Sequence, residues 1–108
     1  MKRGDFVIAA EKGRLTGKPR PWLVVQSDAF NEYHASVTLA LVTTGIAEFP
    51  YFRVGVAPTS KNGLVEPSVI HIDKLATVSR GNIGQVIGSA TESELAEVDV
   101  ALRGWLDL

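Results

Sequence analysis

The sequence predicts a small all-β barrel closed by one C-terminal helix. Short apolar runs follow one another between residues 6 and 87, and glycine, proline, asparagine and serine separate them. Short strands at such spacing are typical of a small barrel. Near the C-terminus the apolar residues instead recur at helical spacing. A chain of 108 residues is the usual size of one domain and is long enough to bury an ordinary core.

The predicted strands are short runs rich in β-branched, aromatic and other apolar residues. Val37–Thr43 is the longest run without a polar break, and we expect it to be a central strand buried on both faces. In chain order, the predicted strands are Phe6–Ala10, Trp22–Gln26, Val37–Thr43, Phe52–Val56, Val69–Asp73, Ala76–Ser79 and Ile83–Ile87.

Two segments carry helical signals. Residues 27–31 (SDAFN) offer N-cap residue types directly after a strand, which predicts a single helical turn or tight corner. Thr91 and Glu94 fit a capping box, in which each residue satisfies a free backbone amide of the other. Behind them runs an apolar stripe that we expect to pack on the barrel or on a second subunit. The stripe consists of Leu95, Val98, Leu102 and Trp105 or Leu106.

The composition excludes several classes of protein. The chain has no cysteine, so disulfides, thiol chemistry and zinc-thiolate sites do not arise, and no metal or cofactor is expected. The first apolar run, Phe6–Ala10, is too short for a signal peptide or a membrane span. These features predict a cytoplasmic protein.

The net charge of −1 is divided unevenly along the chain. Residues 1–20 carry six basic and two acidic side chains, a balance of +4, whereas residues 21–108 have a balance of −5. A local cationic feature on an acidic body suits a small phosphate-binding site. The alternative is a solvated loop that carries lysine and arginine for solubility, and charge alone does not separate the two.

Three segments together resemble the MazF/PemK family of toxin ribonucleases. They are KRGDFVI at residues 2–8, GKPRPWLVVQSDAFN at residues 17–31 and GLVEPSVIHIDKLATV at residues 63–78. The resemblance implies one toxin domain over residues 1–108, with an SH3-like barrel that forms a homodimer. It also implies cleavage of single-stranded RNA without metal, and inhibition by an antitoxin protein whose disordered tail wraps the toxin.

The resemblance also suggests which residues act in catalysis. Metal-free cleavage uses the RNA 2′-hydroxyl as nucleophile and builds up negative charge on the phosphate. Arg20, held between two prolines, suits stabilisation of that charge because a guanidinium is a permanently charged, planar fork of donors; otherwise it is an ordinary surface loop arginine. Thr43 matches the family's functional threonine and is expected to donate a hydrogen bond to the same phosphate. Thr44 competes for that role, and Gly45 stands where many relatives have glutamine.

His71 and Asp73 are the candidate proton-transfer pair. They match an arginine and an aspartate that serve as acid and base in one branch of the family. Residues two apart on a strand share one face, so the two side chains should point together. The carboxylate is expected to hold the pKa of His71 at or above its ordinary value, making it a proton donor. The alternative is a half-buried histidine without a catalytic role; His34 and Glu11 are weaker candidates.

Further residues are expected to contact RNA, namely Lys12, Arg14, Lys18 and Thr44. The aromatic cluster at residues 49–52 (FPYF) is expected to be core, with base stacking as the alternative. A rival function is that of CcdB-like toxins, which share the barrel, bind DNA gyrase and catalyse nothing; there a C-terminal tryptophan matters, and this chain has Trp105. A third is an inactive relative that survives as a binding module.

Overall fold

The computed structural model describes residues 1–10 and 18–108, and within them a six-stranded antiparallel sheet carries a C-terminal helix. The strand order is β4-β5-β3-β2-β1-β6. A single 3-10 turn at Arg80–Asn82 joins the fifth strand to the sixth. The elements are β1 (Asp5–Ala9), β2 (Arg20–Val24), α1 (Asp28–Asn31), β3 (Ser36–Thr44), β4 (Arg53–Val56), β5 (Ser68–Ser79), β6 (Ile83–Ser89) and α2 (Glu92–Leu106). The expected mainly-β fold with a C-terminal helix is confirmed.

Strand β5 is bent by a bulge at residues 72–74. His71 lies opposite Leu41 of β3, whereas Leu75 lies opposite the adjacent Ala40, so three residues of β5 have no counterpart on β3. Such a bulge bends the strand and redirects its side chains. The two runs predicted on either side of this point are therefore one strand, and the bend carries Asp73.

Strand β3 is buried on both faces, as predicted. Ala40 and Val42 face a cluster that includes Val98 and Ala101 of α2. On the opposite face, alternate residues of the same strand, such as Leu39, join a second cluster. The second cluster contains Val7, Ala9, Trp22, Val24, Val37, Leu39, Leu41 and Val78. The candidate site residues of β3 and β5 lie on this second face, at the end beyond Leu41.

Helix α2 begins with the predicted capping box. The Thr91 side chain accepts a hydrogen bond from the Glu94 amide, and the Glu94 carboxylate accepts one from the Thr91 amide. Val98 is fully buried, but Trp105 is half exposed and its ring lies 5.6 Å from that of Phe52. No helix in the described ranges is long and apolar enough to cross a membrane.

The N-terminal motif holds the fold together. The Arg3 guanidinium donates to the Val25 carbonyl at 2.9 Å and to the Asp99 carboxylate of α2 at 2.7 Å. Ser27 caps the short helix α1 and accepts from the Ala29 amide, which confirms the predicted helical turn. Arg3 therefore does not contribute its charge to a phosphate-binding surface, because Asp99 pairs with it.

Candidate active site

The centre of the site is a short hydrogen bond between Thr43 on β3 and His71 on β5. Thr43 Oγ1 lies 2.6 Å from His71 Nε2. The register pairs Thr43 with Val69 and Leu41 with His71, so the two side chains are diagonal neighbours on one face of the sheet. This contact brings together two residues that the sequence analysis singled out separately.

His71 is buried, with 7% of its surface exposed. Burial lowers the pKa of its imidazole, and the positive charges of Arg53 and Lys74 lower it further, against the smaller opposing effect of Asp73. The expectation that the carboxylate would hold the His71 pKa at or above its ordinary value is therefore wrong. The expectation considered only the charge of Asp73, whereas burial and the two cations lower the His71 pKa.

Arg53 forms a two-pronged ion pair with Asp73. Its Nη2 lies 3.1 Å from Asp73 Oδ2 and its Nε lies 3.4 Å from Asp73 Oδ1. Burial tends to raise the Asp73 pKa, but the hydrogen bonds and charge of Arg53 outweigh it and hold that pKa below its ordinary value. Asp73 is thus an ionised carboxylate already engaged by a guanidinium.

Arg53 was missed by the sequence analysis, although it lies directly opposite His71 on the neighbouring strand β4. Its guanidinium carbon lies 5.7 Å from the ring centre of Phe49 and 5.5 Å from that of Phe52. The two rings are themselves stacked, with centres 5.6 Å apart. The only local signal is an arginine beside an aromatic cluster.

The aromatic cluster itself lies largely outside the core. Phe49 is 50% exposed and Tyr51 is 86% exposed, so the expectation that residues 49–52 form core is wrong for both. Only Phe52 is half-buried, where it packs at the margin of the cluster beneath α2. The exposed ring of Tyr51 and the half-buried ring of Phe52 border a groove of about 890 Å³ between β4 and α2.

Arg20 is exposed at the start of β2. Trp22 pairs with Leu41, and continuing this register by two residues puts Arg20 level with Thr43 on the same face. The prolines on either side fix the backbone from which the side chain projects. Strand alternation therefore puts Arg20, Thr43 and His71 on one face of three neighbouring strands.

The remaining predicted residues flank this row or lie elsewhere. Lys18 and Thr44 are exposed at the start of β2 and the end of β3. Gly45 has a φ of 147°, a backbone conformation that residues other than glycine rarely adopt. A glutamine at this position would therefore require a different backbone conformation in the loop. Lys12, Arg14 and Glu11 lie outside the described residues. His34 is an exposed residue of the turn before β3, where its Nδ1 contacts the backbone of Ser36.

No cluster of three or more histidine, aspartate or glutamate residues that could hold a metal ion occurs in residues 1–10 and 18–108. Of the two histidines, only His71 belongs to the site. The groups that the site does offer are hydroxyl, imidazole, carboxylate and guanidinium groups.

Fold and site define a class of small proteins in which an antiparallel sheet carries a C-terminal helix and polar side chains lie at the ends of adjacent strands. The chain matches a family model described as the PemK-like, MazF-like toxin of type II toxin-antitoxin systems over residues 2–106. The chain belongs to this family, as the sequence motifs indicated.

Individual relatives agree with this assignment. The chain is 39% identical over 108 residues to a probable endoribonuclease MazF from Mycolicibacterium smegmatis, covering 100% of this chain and 98% of the relative. Its fold is similar to the Mycobacterium tuberculosis toxin MazF-mt6, with a TM-score of 0.81, 27% identity and coverage of 96% and 97% of the two chains. It is also similar to a mycobacterial endoribonuclease solved in complex with its cognate antitoxin, with a TM-score of 0.81, 25% identity and coverage of 100% and 96%.

Proposed function

We propose that this protein is the toxin of a type II toxin-antitoxin pair and that it cleaves single-stranded RNA. Residues 1–108 act as one toxin domain, and its active-site residues are Arg20, Thr43, His71 and Asp73. The observation that carries this proposal is the 2.6 Å contact between Thr43 and His71 on the same face as Arg20. The relatives named endoribonucleases support it.

The reaction we propose is attack of the RNA 2′-oxygen on the adjacent phosphorus without a metal ion, which breaks the bond from phosphorus to the 5′-oxygen. It leaves a 2′,3′-cyclic phosphate and a 5′-hydroxyl, so the net proton transfer is from the 2′-hydroxyl to the departing 5′-oxygen. Arg20 stabilises the charge that develops on the phosphate oxygens, because its planar fork of donors matches them. The nucleophile belongs to the substrate, so the protein needs only to orient it, move its proton and stabilise charge. Asp73, held by Arg53, keeps the surroundings of His71 in place.

The RNA strand is expected to follow the exposed end of the sheet. Lys18 lies two residues before β2 and Thr44 ends β3, and Lys12 and Arg14 belong to the segment that precedes Lys18. On the β4 side, the exposed rings of Phe49 and Tyr51 are available to stack bases. Cations at one end and aromatic rings at the other suit a flexible single strand better than a rigid duplex.

We further propose that the protein acts in the cytoplasm as a homodimer and that an antitoxin protein inhibits it. The mycobacterial relative solved with its antitoxin supports the partner. An antitoxin with an acidic, disordered tail would be attracted by the same basic residues as RNA. Sedimentation velocity at micromolar concentration tests the dimer, and competition between RNA and the antitoxin tests the shared surface.

The decisive experiment is incubation of the purified protein with single-stranded RNA in EDTA. We expect cleaved ends that carry a 2′,3′-cyclic phosphate and a 5′-hydroxyl. Arg20→Ala should lower the rate by about 10²-fold or more, the usual cost of losing a donor to a developing charge, and Arg20→Lys should restore it only partly. Arg103→Ala, at an exposed arginine on α2, is the matched control and should cleave at the parental rate.

A strict requirement for magnesium would contradict the mechanism, and parental activity of a folded Arg20→Ala variant would contradict the role of Arg20. If the folded protein leaves RNA intact under all conditions, the alternatives are a gyrase-binding toxin of the CcdB type and an inactive binding module. A DNA gyrase inhibition assay then separates these two.

A further inference from the structure

Either Thr43 or His71 can be the donor in the hydrogen bond between them, depending on the tautomer of the imidazole. A neutral imidazole has one N–H and one bare nitrogen. If Nε2 carries the hydrogen, it donates to Thr43 Oγ1 and leaves the hydroxyl proton free to point into the site. If Nε2 is bare, it accepts the Thr43 hydroxyl proton, and the lone pairs of Oγ1 face the site instead. The two arrangements give Thr43 opposite chemical roles.

The other ring nitrogen of His71 separates the two arrangements. Nδ1 is buried and has no hydrogen-bond partner among the described residues. It lies 4.0 Å from Asp73 Oδ1, too far for a hydrogen bond but close enough for electrostatic interaction. A hydrogen on Nδ1 turns the positive end of an N–H dipole towards the carboxylate, whereas a bare Nδ1 sets a lone pair against it. The geometry therefore favours hydrogen on Nδ1 and a bare Nε2.

The charges around the ring favour a neutral imidazole. From β4, Arg53 faces His71 directly, and from its own strand Lys74 and Asp73 lie close to it. Thr43 approaches from β3 and does not titrate in this range. Burial, Arg53 and Lys74 together outweigh the carboxylate and lower the His71 pKa.

We propose that His71 is a positioning residue that holds Thr43 as a hydrogen-bond acceptor for the RNA 2′-hydroxyl. With Nε2 bare, the Thr43 proton points at His71 and the Oγ1 lone pairs point towards the substrate. This inference rests on the proposed function and makes it more specific: Thr43 recognises the nucleophile itself rather than donating to the phosphate. A 2′-deoxy nucleotide lacks the donor, so the same contact discriminates RNA from DNA.

The tautomer is measurable without any substrate. Two-bond ¹H–¹⁵N NMR spectra of uniformly ¹⁵N-labelled protein at about pH 7.5 distinguish the two neutral tautomers and the imidazolium. The chain has two histidines, so His34→Gln assigns the signals. We expect His71 to be neutral with its hydrogen on Nδ1. A hydrogen on Nε2, or an imidazolium at this pH, would overturn the proposal.

Two variants of His71 test the consequence for activity. Glutamine places its amide near the position of Nε2 and can accept the Thr43 hydrogen bond, whereas asparagine reaches only the level of Nδ1. We expect His71→Asn to lose about 10²-fold in kcat, since misorientation of a reacting group costs that much, and His71→Gln to retain more activity. Equal losses in two folded variants would contradict the proposal.

The direction in which the cleavage rate changes with pH is an independent test of the role of His71. Protonation puts a hydrogen on Nε2, which then donates to Thr43 and reverses the hydroxyl. The rate should therefore fall as pH falls through the His71 pKa, and this fall should be absent in His71→Gln. A general acid gives the opposite slope, with the rate falling as pH rises, and that result would replace the positioning role with acid catalysis.

Binding measurements complete the test. In the slowly cleaving Arg20→Ala background, we expect an RNA oligonucleotide to bind more tightly than the same oligonucleotide with one 2′-deoxy residue at the cleavage position, by about fivefold, the size of one net hydrogen bond. Thr43→Val keeps the shape of the side chain and should abolish this difference. If the NMR result holds but RNA is not cleaved, the proposed function fails while the His71–Thr43 geometry stands; unchanged discrimination in Thr43→Val refutes the acceptor role alone.

Discussion

Lowering the pH from about 7.5 to about 5.5 should destabilise the fold through His71. In the unfolded chain the histidine takes up a proton near its ordinary pKa of 6.5, whereas in the folded protein burial, Arg53 and Lys74 lower that pKa. Just below 6.5 the unfolded state therefore binds more protons, and the free energy of unfolding falls as pH falls. The stability that His71 contributes is fully present above pH 6.5 and is lost as the pH falls from 6.5 to the pKa of His71 in the folded protein.

The size of the effect follows from one proton. The slope approaches about 1.4 kcal/mol per pH unit between the two pKa values. This is a measurable part of a total of about 5–15 kcal/mol for a domain of this kind. Asp73 acts in a different range, because its pKa lies below the ordinary 3.8, so the stability that it contributes is lost only at more acidic pH.

Urea unfolding at three pH values between about 5.5 and 7.5 provides the assay. The free energy of unfolding of wild type should fall as the pH is lowered across this range. In His71→Gln the part of this pH dependence that comes from His71 should be absent, whereas His34→Gln should behave like wild type. His34 is the matched control because it is exposed in a turn away from the site. The reasoning is refuted if wild type is equally stable across the range, or if His71→Gln keeps the full slope.

Two further changes have defined outcomes. Tyr51→Ala, at a ring that is 86% exposed, should raise KM for RNA with little change in kcat, because stacking contributes about 1–3 kcal/mol per base. Val65→Ala, at a residue that is 91% exposed, is the control. An unchanged KM in Tyr51→Ala would show that RNA does not stack on this ring. Thr91→Ala removes one side of the capping box and should lower the free energy of unfolding by about 1 kcal/mol in a urea titration while kcat stays unchanged.

The fold was predictable because its signals are local. The apolar runs found every strand except β5 to within two residues and divided β5 into two, and the capping box marked the start of α2. The bulge at residues 72–74 was not predictable, because it arises from the pairing of β5 with β3 rather than from the sequence of β5 alone. Trp105 lies on the helical stripe but is half exposed, and its ring lies against that of Phe52.

The site was predictable only in part. Family resemblance supplied Arg20 and Thr43, and strand alternation put His71 and Asp73 side by side, 4.0 Å apart at Nδ1 and Oδ1. Arg53 was missed because it reaches the site by pairing between β4 and β5, and register between distant strands is not encoded locally. The predicted direction of the His71 pKa was wrong chiefly because the burial of the ring was not foreseen, and the charges of Arg53 and Lys74 act in the same direction as that burial.

Arg53 also explains how a histidine can occupy a position where one branch of the family has arginine. In that branch the cation and the carboxylate are two residues apart on one strand. Here the guanidinium comes from β4, directly opposite His71, and binds Asp73 through two nitrogens. The cation and carboxylate are thus kept while the residue at position 71 becomes neutral. Since Asp73 is engaged by Arg53, we expect it to be a poor base and to act in the proposed site by holding the surroundings of His71 in place.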